Sequence, residues 1–528
     1  MRRALQTTTR ALQRRTLATA STKGAAGDTV PLQVTTLGNG VRVATDPTPG
    51  HFVAAGVYVD AGSRYESNRT RGAGHMTDRL GFKSTTSRTT EQMTSEIEAL
   101  GGQFQSSSSR ETIMYQATTY SHSVPQVVSI LADTVQNPLI TSEELDAQRD
   151  AALWEISEIK NKPEMILPEI LHEVAYKDNT LGNPLLCPEE RLETMTTDTI
   201  KEFLHMWYKP NRIVVAAAGV EHEALVELAD KHFGGMKTLP PYASTLSGSR
   251  STSSTLSKPS LWKNLSTSAP LNARLIDYSA PLPEAESFEV LSKAPAVYTG
   301  GELYIDKPDL EFTHVYVGYE GLSIHDPDIY ALATLQVLLG GGGSFSAGGP
   351  GKGMYSRLYT SVLNQYHAVD FCASFHHCYL DSGLFGINIA VHPSFLSQTP
   401  MLLATQLDSI TRPVRGGINE LDLRRARNQL KSGLMMALES RMVQVEDLGR
   451  QVQVHGRKVS MDEMAQFIDA VSLQDLYRVA TRVLRPHKSP LLSDRKKSGK
   501  PTIVAQGQLE GLPDIATALQ RRGLTGEP

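Results

Sequence analysis

Lys209-Pro210-Asn211-Arg212-Ile213-Val214-Val215-Ala216-Ala217-Ala218-Gly219 runs from a turn through six apolar residues to a glycine, and Lys500-Pro501-Thr502-Ile503-Val504-Ala505-Gln506-Gly507 repeats that plan near the other end of the chain. Each apolar run is short, β-prone and bounded by Pro and Gly. It therefore reads as a strand covered on both faces and followed by a helix. Two further signals recur in the same order. Glu144-Leu145-Asp146 and Glu420-Leu421-Asp422 each open a helical pattern, through Ile159 and Glu439 respectively. Thr196-Thr197-Asp198-Thr199-Ile200 is echoed by Ser472-Leu473-Gln474-Asp475-Leu476. Three matched signals predict a duplicated α+β unit. The offset grows toward the C-terminus, so loops are longer in the second copy.

Around these anchors, period-two patterning predicts strands over Phe52–Val59 and His314–Tyr319, and helical periodicity predicts helices over 143–160, 195–208 and 418–440. Helix and strand alternate within each half, which is the pattern of α+β layers. A chain of 528 residues exceeds what one hydrophobic core usually serves. The expected domains are 30–240 and 298–520, joined by a Ser/Thr/Pro-rich linker over 241–297 whose apolar content is too small to offset the entropy of ordering it. A second insertion is expected over 486–499, with Arg495, Lys496, Lys497 and Lys500 in a solvated loop.

Composition excludes several classes. Hydrophobic residues at 40% and charged residues at 20% are those of a globular protein, not a disordered one. No apolar run approaches the ~18 residues of a membrane-spanning helix. A formal charge of −4 gives no basic surplus for nucleic acid. Cys187, Cys372 and Cys378 suit neither a disulfide framework nor a structural zinc site. The first 27 residues differ from the rest: Arg2, Arg3, Arg10, Arg14, Arg15 and Lys23 precede the first acid, Asp28. Ala4, Leu5, Ala11 and Leu12 share one helical face flanked by arginines, the signature of a mitochondrial transit peptide. Arg15-Thr16-Leu17-Ala18 places its cleavage near residue 17, leaving a more acidic mature chain in the mitochondrial matrix.

Gly72-Ala73-Gly74-His75-Met76-Thr77-Asp78-Arg79-Leu80 follows a strand and opens a helix. The segment resembles the inverted zinc motif His-x-x-Glu-His of pitrilysin-type proteases, in which two histidines bind zinc and the glutamate is the general base. The resemblance implies two duplicated pitrilysin-type (LuxS/metallohydrolase-like) domains, each a mostly antiparallel sheet packed with helices. It also implies a third ligand at Glu155, 76 positions after Arg79. The departures from the motif are decisive. Asp78 stands at the base position and Arg79 at the second histidine. Arginine stays protonated and offers a metal no lone pair, while catalytic zinc generally takes three protein ligands. His75, Asp78, Arg79 and Glu155 thus form a degenerate site with no catalytic residue, and no cofactor is expected on this chain.

Gly340-Gly341-Gly342-Gly343-Ser344-Phe345-Ser346-Ala347-Gly348-Gly349-Pro350-Gly351-Lys352-Gly353-Met354 holds eight glycines in fifteen residues. It is not a Walker loop, because Ser346 and Gly353 stand where glycine and Ser/Thr are required. Helical patterns over Asp326–Leu339 and Met354–Asn364 flank it. The run resembles the signature loop of the non-catalytic α-subunits of mitochondrial processing peptidases. That resemblance implies a heterodimer with a zinc-bearing β-subunit and the binding of presequence peptides of imported proteins. Substrate-binding residues are then Gly340, Gly341, Gly342, Gly343, Ser344, Phe345, Gly348, Gly349, Gly351, Lys352 and Gly353. No nucleic-acid partner is implied, and peripheral contact with the inner membrane is compatible with it. Two other functions share the fold, a structural core subunit of the respiratory cytochrome reductase complex and an autonomous zinc metalloendopeptidase. The long glycine loop argues against the first, and Asp78 with Arg79 against the second.

Overall fold

Six apolar residues in a row, all buried, make Ile213–Ala218 the centre of a sheet rather than its edge. The computed structural model describes residues 32–237, 287–344, 354–413 and 417–526. The transit peptide expected over 1–17 and most of the linker lie outside these residues. In the first half, β1 (Gln33–Thr36), β2 (Arg42–Asp46), β3 (Phe52–Val59), β4 (Gln103–Ser108), β5 (Ile113–Tyr120) and β6 (Ile213–Ala218) form one sheet in the order β1-β2-β6-β3-β5-β4. Pairing is antiparallel except that β6 runs parallel to β2, with Arg42 opposite Val214.

The second half repeats this plan. Its strands are β7 (Gly301–Asp306), β8 (Thr313–Glu320), β9 (Gly341–Gly343), β10 (Val369–Cys378), β11 (Gly383–Val391) and β12 (Thr502–Gly507), in the order β7-β12-β8-β11-β10-β9. Here β12 takes the place of β6: it is parallel to β7 and antiparallel to β8. The two strands quoted first from the sequence are therefore equivalent, and each is the last to enter its sheet. The fold is α+β with two matching domains, as expected. The long helices of both halves begin with capping boxes, Thr141 with Glu144 for Ser142–Lys160 and Asn419 with Asp422 for Glu420–Ala437.

One face of each sheet carries its own half's core. The other face is covered by a helix from the opposite half. Helix Pro163–Ala175, from the first half, lays Leu167, Leu171 and Ala175 on Tyr316, Leu384 and Val504 of the second sheet. In return, helix Arg441–His455 lays Val445, Leu448 and Val452 on Ala44, Ala54, Tyr58 and Val214 of the first. A charge knot adds to this exchange. Buried Arg64 donates to Glu111 at 2.6 Å and to Asp381 of the second half at 2.6 Å, and to Ala294 O at 3.2 Å.

Some residues depart from expectation. Within the linker span, Phe288–Lys293 is helical, and Phe288 packs on Trp207 with Lys209 over its ring. The basic segment at 486–499 is tied into the fold: Asp494 is buried against Arg482 at 2.9 Å, and Lys497 pairs with Glu320 at 3.3 Å. The helix expected over Met354–Asn364 is reduced to a short turn of helix around Tyr359–Leu363. Gly341–Gly343, read as loop, forms the edge strand β9 beside β10.

Candidate functional site

Helix Ala73–Arg79 starts at Gly72, whose φ of +82° favours glycine and whose added Cβ would strike the Cys187 thiol. No side chain of its own N-cap closes the helix. The carboxylate of Glu66 does so instead, accepting the N–H of Gly72 at 2.7 Å and of Gly74 at 2.8 Å. Glu66 is buried, and its desolvation outweighs these two bonds, raising its pKa to about 7.

This helix presents the three residues singled out by the motif. His75 is buried, and its Nδ1 accepts the Cys187 N–H at 3.2 Å, so the proton sits on Nε2. That nitrogen faces Glu155 on helix Ser142–Lys160, 3.8 Å from Oε2 and too far for a hydrogen bond. Arg79, one turn on, places its guanidinium on the same Glu155 oxygen. The neighbouring His75 and the charge of Arg79 hold the Glu155 carboxyl below the usual range, against partial burial. Asp78 turns away to the sheet edge: its Oδ2 accepts the N–H of Ser108 at 3.0 Å, and its carbonyl accepts the Ser106 hydroxyl at 2.8 Å.

The structure thus brings His75, Arg79 and Glu155 together and gives Asp78 a different task. These residues do not fit zinc. Two potential ligands remain, and a fixed cation occupies the carboxylate that a metal would need. Among the described residues, no group of three or more His, Cys, Asp or Glu is arranged to hold a metal ion. The sequence reading missed Glu66, Ser108 and the Cys187 backbone. Only the acid six positions before Gly72 hinted at the first.

The glycine run lies in the other half, at the matching position. Helix Ile329–Leu339 packs on helices Glu420–Ala437 and Leu473–Leu484, as Ala73–Arg79 packs on Ser142–Lys160 and Thr197–Trp207. Gly340, with φ +57°, ends that helix. Gly341 then donates to Ser356 Oγ at 3.0 Å and Ser344 to the Asp370 carbonyl at 2.6 Å. A Cβ on Gly340 would collide with Ser356 and one on Gly341 with the Cys372 carbonyl, whereas Gly342 and Gly343 face open space. Phe345, Gly348, Gly349, Gly351, Lys352 and Gly353 lie outside the described residues.

Residues 42–189 match the model of the insulinase family (peptidase family M16), and residues 194–430 match that of the peptidase M16 inactive domain. The mitochondrial-processing peptidase subunit alpha of Neurospora crassa is 47% identical over 504 residues, 90% of this chain and 86% of its own length. The probable subunit alpha of Schizosaccharomyces pombe is 39% identical over 496 residues, covering 92% and 88%. That of Homo sapiens is 33% identical over 506 residues, covering 93% and 85%.

Proposed function

Since the chain belongs to the insulinase family, peptidase family M16, alongside the alpha subunits of mitochondrial-processing peptidase, we propose that it captures basic presequences for cleavage by a zinc-bearing β-subunit. The observation that carries this reading is the ion pair of Arg79 and Glu155, which occupies the hydrolytic centre without offering chemistry. A subunit of this kind acts by binding and orienting. Its own residues present a substrate to a partner and move no proton themselves.

The glycine run Gly340–Gly353 is the element we assign to the peptide. Glycine leaves backbone N–H and C=O groups uncovered, so an extended segment of almost any sequence can be met by main-chain hydrogen bonds. Gly343 supports this role, because the fold around it makes no demand for a missing side chain. The mitochondrial matrix is the compartment proposed. No described helix is long and apolar enough to cross a membrane, and any contact with the inner membrane is peripheral in this reading.

The test is to purify the chain alone and with a β-subunit and to assay cleavage of a presequence peptide. Cleavage is expected from the pair and not from the lone chain. Removing residues 345–352, which spares β9, should raise KM or lower kcat while the subunits still associate, since shortening a loop changes its closure entropy only slowly. Unchanged kinetics would make the run a passive connection. Lost association would make it part of the interface.

A further inference from the structure

Helix Ser142–Lys160 buries Leu145, Ala152 and Ile156 against the first core. Its opposite stripe has no covering element among the described residues. Asp150 and Trp154 lie exposed on it and Glu158 half-exposed, with Trp154 itself 70% accessible. An indole buries roughly 150–250 Å² when it is covered, so leaving one in water gives up a large stabilisation. The acids stand one turn before and one turn after it, about 6 Å away in each direction. Asp150 forms no hydrogen bond or ion pair with the described residues, and Glu158 has only Lys162 at 3.9 Å. Neither carboxylate is needed to hold the helix.

We infer that this stripe docks a basic, amphipathic presequence peptide, with an apolar side chain or an arginine on the Trp154 ring and arginines on Asp150 and Glu158. The inference rests on the proposed function and assigns it a second surface, in the half opposite the glycine run. Charge complementarity selects the occupant. Residues 1–27 of this chain are themselves an example of such a peptide, with arginines and no acid. Arg3 and Arg10, seven positions apart, would lie about 10 Å apart along a helix, against about 12 Å from Asp150 to Glu158. Arginine also stacks favourably on indole faces. Arg79 already neutralises Glu155, so the free negative charge of this helix is displayed on the outer stripe and not at the degenerate site.

The experiment uses the heterodimer and a fluorescent synthetic peptide of residues 2–27. Anisotropy gives Kd at two salt concentrations for the unaltered complex, for W154A, for W154F and for D150K/E158K. The charge-reversed complex should bind about tenfold more weakly and lose most of its salt dependence. W154A should weaken binding severalfold, and W154F should restore part of it. Kd values equal to that of the unaltered complex would overturn the stripe as a docking site while leaving the proposed function standing. Absence of peptide binding by the unaltered complex would instead overturn the proposed function, and this inference with it. Loss of the β-subunit from D150K/E158K, seen by size exclusion, would show the stripe to be a subunit interface and overturn the assignment.

Discussion

The guanidinium of Arg79 rests on the carboxylate of Glu155, and His75 Nε2 lies 3.8 Å from the same oxygen. One substitution therefore decides whether this is a former metal site. Arg79→His removes the cation and supplies a third donor one helical turn from His75, so zinc binding near one ion per chain is expected by calorimetric titration. Peptide cleavage should stay absent, because Asp78 remains bonded to the Ser108 N–H. No zinc uptake by a folded variant would mean that the helix lacks ligand geometry.

A second expectation concerns the exchanged helices. Gly449 of helix Arg441–His455 lies flat against the Tyr58 ring, and a Cβ there would overlap it. Tyr58 cannot swing aside without losing the 2.8 Å bond it accepts from Gln116. Gly449→Ala should destabilise the protein by about 1–3 kcal/mol, the usual range for overpacking, although alanine itself favours the helix. A melting temperature unchanged from wild type would show that the interface is loose.

The knot at Arg64 should matter too. Arg64→Met leaves half-buried Glu111 beside Asp381 without a counter-charge, which costs up to about 3 kcal/mol, the low end of the range for a fully buried pair, because solvent reaches both acids. Adding Glu111→Gln should recover part of the loss. Urea unfolding of the single and double variants checks both, and equal midpoints for wild type and Arg64→Met would refute the role.

Stability should also depend on pH through β10. Burial lowers the pKa of His376 to about 4, helped by His377, and that of His377 to about 4, helped by Arg110 and opposed by Glu169. A histidine depressed in the folded state stabilises above its unfolded pKa of ~6.5, and this contribution fades as pH falls from there toward 4. At pH 5 the loss is about 1–2 kcal/mol for each ring. Glu66, raised to about 7, acts in the opposite sense, favouring the fold as pH falls from 7 to 4.5. The useful measurement is the difference between wild type and a His376→Asn/His377→Asn variant, which should be more resistant to acid between pH 6.5 and 4.

Within the glycine run, two kinds of position should behave differently. Gly341→Ala forces a side chain into the Cys372 carbonyl at a φ of +100°, and should lower the melting temperature by several degrees. Gly343→Ala meets open space and should leave it unchanged. If Gly343→Ala also raises KM for a presequence peptide, the effect arises from the substrate and not from the fold.

Strands Phe52–Val59 and Ile213–Ala218 were legible to the residue because period and composition are local properties. The meeting of His75, Arg79 and Glu155 was legible as well, from the motif and the position of the acid 76 residues after Arg79. Two things were not. Helix Arg441–His455 shows an apolar stripe at Val445, Leu448 and Val452, but a stripe says that one face is buried and not against which sheet. The edge strand β9 carries no side chains, so its pairing with β10 has no alternation to betray it.

The reciprocal covering of the two sheets constrains how the molecule can be assembled in time. When only the first 240 residues have emerged from a ribosome, the outer face around Tyr58 and Val214 is still bare, and it stays so until residues 441–455 arrive. A domain that must wait for the far end of its own chain presents an adhesive apolar surface in the interim. Late completion of the first domain's packing is built into this connectivity.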